Sequence, residues 1–184
     1  MNLRTLLEEK KSSIVKKWVH VIFEQYPPDS TNFFLTQKDR FLNPVGHAIS
    51  EGARDIFNAL VDDSEPEKFY PLLNDIIKIK AVQDFSPSVA ISFLFLLKKV
   101  IRVEAGAEIA RRNLTPELEA LESRIDQLIL LSFDIYSKFR ERIFEIKNDE
   151  FRRMTFRLLQ RANLICEIEG EKTTPGEETV ITNK

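Results

Sequence analysis

Residues 79–102 read IKAVQDFSPSVAISFLFLLKKVIR. Ser86-Pro87 is a helix-start signal, a hydroxyl at the cap followed by a proline at the first helical position. From Val89 to Leu97 the segment is apolar around its whole circumference, and Lys98-Lys99 then restore polarity. A helix without a wet side belongs at the centre of a helical domain. The apolar run is broken at Ser92 and falls short of the roughly 20 residues that span a bilayer, so no membrane insertion is expected. It carries no nucleophile, metal pair or phosphate loop.

The flanking segments read as helices too. Leu3, Leu6, Leu7, Ile14, Trp18, Ile22 and Tyr26 share one stripe over about residues 2–26, which Pro27-Pro28 end. Residues 30–40 read as a short helical turn or loop, with Phe33, Phe34 and Leu35 plugging the core. Asn43-Pro44 caps the next helix, whose face runs Val45, Ala48, Ile49, Gly52, Ala53, Ile56, Phe57, Leu60. Its small residues let another helix come close. Ser64-x-x-Glu67 reads as a capping box for a helix with the stripe Phe69, Leu72, Leu73, Ile76, Ile77, Lys80, ending near Asp84. The central helix should fade around Gly106.

Thr115-Pro116 opens the longest helix. Leu118, Leu121, Ile125, Leu128, Ser132, Ile135 and Phe139 alternate three and four residues apart, a heptad-like seam. Asn148-Asp149 offers a break, after which Phe151, Met154 and Leu158 resume the spacing. The last residues, 166–184, lack periodicity and read as a disordered polar tail.

Composition narrows the function classes. Acidic and basic residues nearly balance at a net charge of −2, so no global field would attract nucleic acid. The lone cysteine, Cys166, excludes an internal disulfide and fits a reducing compartment, which makes cytoplasm the expected location. With two histidines, His20 and His47, no zinc site is expected. A haem sensor needs only one axial histidine, and His47 is the better candidate of the two. Gln83-Asp84-Phe85-Ser86 reads as a corner between helices rather than a catalytic group. The basic residues from Arg140 to Arg161 are interleaved with acids, which suits salt-bridged surface. Trp18 reads as core.

The order of NPVGHAISEGARDIFNAL, then IKIKAVQDFSPSVAISFLFLLKKVIRVE, then DIYSKFRERIFEIKNDEFRR resembles the N-terminal domain of RsbRD-type co-antagonists of RsbT. The resemblance covers nearly all of residues 3–165, and AVQDFSPSVAISFLFLLKKVIR carries most of it. It implies an all-α, globin-like bundle of about six helices with one long C-terminal helix. It further implies a haem-less, dimeric sensory domain of a bacterial stress-signalling family, whose relatives continue into a STAS domain. About twenty polar residues follow Ile165 here, so the expectation is a domain over residues 1–165 without that continuation.

The leading expectation is a non-enzymatic sensory or regulatory domain without a cofactor, acting as a homodimer and on an unidentified protein partner. The alternatives are a haem-binding globin-type sensor, or an accessory subunit of a larger complex. His47, Gln83 and Ser92 are the polar groups nominated for a ligand pocket. Leu121, Leu128, Ile135 and Phe139 are nominated for the dimer interface.

Overall fold

The computed structural model describes residues 2–161; the expected tail at 166–184, the domain end at 165 and Cys166 lie outside the described residues. Among the described residues the chain forms six α-helices and one 3-10 turn, without strands. These are α1 (Leu3–Phe23), α2 (Pro28–Thr36), α3 (Pro44–Val61), α4 (Phe69–Val82), α5 (Pro87–Arg111) and α6 (Thr115–Arg161). The chain divides into two units, Met1–Ile143 and Phe144–Lys184. The first is the bundle; the second is described as residues 144–161 of α6.

The bundle is built on α1 against α5. Trp18 is fully buried on α1, stacks on Phe93 of α5 with ring centroids 6.1 Å apart, and donates its indole N–H to the Phe93 carbonyl at 2.6 Å. The rim of the same interface is laced by ion pairs, Lys10 with Glu108 and Lys17 with Glu104. Such partly exposed pairs at a rim add little each, so the buried side chains hold the two helices together. α3 packs on α1 and α4, and α4 on α5. At Gly52 a β-carbon would come within 2.9 Å of the Ile76 side chain, which is the close approach expected of that small-residue face.

α5 does have a wet side, contrary to the reading of its sequence. Phe95 is 53% exposed, and Lys99 and Val103, four and eight residues on, are exposed as well. The buried face is Ala90, Phe93, Leu94, Leu97, Val100 and Ile101. Apolar character all round cannot say which side of a helix its neighbours leave uncovered. The helix also runs past Gly106 to Arg111. Of the three residues expected to plug the core near α2, only Phe34 packs against it, while Phe33 and Leu35 are exposed. Asn148-Asp149 does not break α6.

α3, α4 and α5 end alike. Asp63, Asp84 and Asn113 take left-handed backbones (φ 54°, 62° and 55°). The next N–H in each case reaches back to a carbonyl five residues earlier: Ser64 to Ala59, Phe85 to Lys80, Leu114 to Ile109. This is the Schellman termination, here built on Asp and Asn rather than glycine. The first of these turns displaces the expected capping box: a 3-10 turn at Pro66–Lys68 precedes α4, and no side chain caps that helix. Asn113→Gly should relieve left-handed strain and raise stability by about 0.5–1 kcal/mol, read as a higher urea midpoint at unchanged slope.

Candidate functional site

The end of α4 carries an uncommon arrangement. In its Schellman turn the residue after the left-handed Asp84 is Phe85, and a hydrophobic side chain there folds back onto the residue five before it. That residue is Lys80. The Lys80 ammonium therefore lies 4.9 Å from the centre of the Phe85 ring, and 5.5 Å from that of Tyr26 in the turn after α1. The two rings meet edge to face at 5.0 Å, and Tyr26 packs in the same way on Phe34. Lys80 is 0% exposed.

Neutral groups surround the charge. Lys80 Nζ donates to Gln25 Oε1 at 3.0 Å. Gln25 Nε2 donates to Ser92 Oγ at 2.5 Å, and the Ser92 hydroxyl donates to the Val89 carbonyl at 2.8 Å. The Tyr26 hydroxyl donates to Gln83 Oε1 at 2.9 Å. The turn that follows α1 thus contributes Gln25 and Tyr26, the α4–α5 corner Gln83 and Phe85, and α5 Ser92. Among the described residues no carboxylate pairs with Lys80.

A buried ammonium without a counter-charge favours its neutral form. Burial accordingly lowers the Lys80 pKa to about 8 from the ordinary 10.5, and pushes the Tyr26 phenol up to about 12. Holding such a cation in a fold is costly, and cation–π contacts with one amide hydrogen bond offset the cost only in part.

The corner over Lys80 is clamped to α6 from the other side. The Tyr136 hydroxyl donates to the Phe85 carbonyl, while Arg140 pairs with Asp84 and donates to the Ala81 carbonyl. A change in the Lys80 surroundings therefore bears on the backbone to which α6 is fastened. Further up, α6 is tied to α5 by a bidentate pair, Arg102 Nε and Nη2 to the two Glu122 oxygens at 2.6 and 2.7 Å, and by Lys98 to Asp126.

Of the three polar residues nominated from sequence, Gln83 and Ser92 belong to this cluster, Gln83 exposed at its rim and Ser92 half-buried. His47 lies elsewhere. Its Nε2 is 2.9 Å from the Lys38 carbonyl, at a cavity of about 200 Å³ lined by Phe34, Gln37, Asn43 and Ser50 among others. That volume is below the range of about 300–1,000 Å³ usual for drug-sized ligands.

Lys80 itself, Gln25 and Tyr26 were not nominated. The available signal was a lysine at the end of an otherwise apolar stripe. Lysines there usually reach water by extending their stems, so sequence alone gave no reason to single this one out.

Leu121, Leu128 and Ile135, nominated for a dimer interface, are buried in the chain's own bundle, and Phe139 packs partly against it. Among the described residues no group of three or more His, Cys, Asp or Glu side chains is placed to hold a metal ion. No described helix is long and apolar enough to cross a membrane.

No curated protein and no solved structure matches the chain. A family match covers residues 12–150, and its description is "RsbT co-antagonist protein rsbRD N-terminal domain". The match takes in α2 to α5, most of α1 and all of α6 up to residue 150, so it includes the Lys80 cluster and the corner that joins it to α6. The chain belongs to the RsbT co-antagonist protein rsbRD N-terminal domain family.

Proposed function

We propose that the chain is a non-enzymatic regulatory input domain of bacterial stress signalling, working as a homodimer and through contact with a further protein. Family membership supports the regulatory role. The observation that carries the dimer is the surface of residues 144–161. Phe144, Phe151, Met154 and Leu158 are exposed there at steps of seven, three and four residues, a coiled-coil seam interrupted by Lys147. Each side chain of this size gains about 1.5–3 kcal/mol on leaving water, which a second copy of the same helix would supply. The tie from the α4–α5 corner to Tyr136 and Arg140 supports α6 as the output element.

Light scattering at micromolar concentration tests the reading. The expected result is a dimer mass for the natural chain. Phe151→Glu combined with Met154→Glu should weaken the dimer about a hundredfold or more, to a monomer of unchanged helicity. A natural chain that runs as a monomer would overturn the dimer.

A further inference from the structure

We infer that Lys80 is a site of reversible carbon dioxide capture, its side-chain amine becoming a carbamate inside the cluster formed by Gln25, Tyr26 and Ser92. Three observations carry this. Lys80 is fully sequestered, so a reagent that reaches it without unfolding the bundle must be small and uncharged. Among the described residues its nitrogen meets only an amide oxygen and two aromatic faces, and no carboxylate there locks it in the charged form. The surrounding groups also include donors able to turn toward an anion: Gln25 Nε2, the Ser92 hydroxyl and the Tyr26 hydroxyl. Gln25 and Ser92 are only half-buried and Gln83 is exposed, so the rim of the cluster borders solvent.

The step balances without a cofactor. The lone pair of neutral Lys80 Nζ attacks the carbon of carbon dioxide, one carbon–oxygen π pair becomes a carboxylate lone pair, and an N–H proton leaves to solvent. Burial supplies the reactive form: with a pKa near 8, the neutral fraction at neutral pH exceeds that of an ordinary lysine by more than about a hundredfold. Asp84 and Arg140, the charged groups that clamp the corner, pair with each other. Capture turns a positive charge into a negative one beneath the electron-rich faces of Phe85 and Tyr26. The aromatic contacts that held the ammonium then become repulsive, and the Phe85 backbone passes the change to Tyr136 of α6.

The output half of this inference rests on the regulatory reading above; the capture itself does not. The test exposes the folded chain to ¹³C-bicarbonate at pH 7.5 and reads carbamate carbon by ¹³C NMR, which needs no further reagent to enter the bundle. The expected result is a carbamate resonance at least about tenfold the mean intensity per exposed lysine, and lost in urea. Lys80→Arg, which keeps the charge, should abolish that resonance. A folded natural chain with no carbamate resonance beyond that of Lys80→Arg overturns the inference. Light scattering on the same samples reports the dimer separately, so a labelled monomer would sink the dimer reading and leave the capture site standing.

Discussion

Replacing Lys80 with methionine should make the bundle more stable, by roughly 2 kcal/mol at pH 7. The lowered pKa means that the folded state carries a penalty of roughly 3 kcal/mol for keeping this lysine charged. Methionine fills a similar volume with no charge to desolvate. It loses the hydrogen bond to Gln25 and the two ring contacts, which returns part of the gain. Gln25 is half-buried and can turn its amide to water.

The pH dependence has a definite sign. An unfolded lysine keeps its proton to about 10.5, whereas the folded one releases it near 8. Between those values the unfolded chain binds more protons, so this group makes stability rise with pH from about 8 and contributes a constant penalty below that. Tyr26 acts oppositely above about pH 10, because its folded phenol holds its proton to about 12. The natural chain minus Lys80→Met, compared by urea denaturation at pH 7 and pH 9.5, isolates the lysine. The gap between the two proteins should narrow at the higher pH. A methionine variant less stable than the natural chain at pH 7 would mean that the cluster compensates the ammonium fully.

Trp18→Ala should cost about 3–5 kcal/mol and leave the bundle at or beyond the edge of folding. The indole is fully buried between α1 and α5, so its loss opens a cavity in the principal helix pair. Trp18→Phe keeps most of that volume and the stacking on Phe93. It removes the N–H that reaches the Phe93 carbonyl, and should cost about 1–2 kcal/mol. Chemical denaturation of the two variants separates packing from the hydrogen bond. Equal losses would show that the hydrogen bond, and not volume, dominates.

Much of the fold was legible because helices announce themselves locally. The stripe Leu3, Leu6, Leu7, Ile14, Trp18, Ile22 on α1 is buried as its spacing demands. Asn43 accepts the Gly46 N–H at 2.9 Å, as a cap residue should. α5 starts at Pro87 and α6 at Thr115, as the prolines indicate, although the Ser86 hydroxyl makes no capping bond to its helix. The misreadings of burial share one cause. Phe95, Phe33 and Leu35 were assigned to the core for being apolar, yet burial depends on which neighbour arrives, and a single exposed ring costs little. The heptad seam of α6 is real as a pattern, and Leu121, Leu128 and Ile135 along it are buried within the bundle.

The sequence by itself determined that the described residues form helices without strands, where most of those helices begin, and which family the chain belongs to, because caps, prolines and apolar spacing act over a few residues. Only the tertiary structure decided that Lys80 is enclosed. Its burial depends on Gln25 and Tyr26, more than fifty residues earlier in the chain, and on a left-handed turn at Asp84 that folds Phe85 back over it. A charge has no local signature for the solvent it will lose; that is set by elements distant in sequence meeting around it.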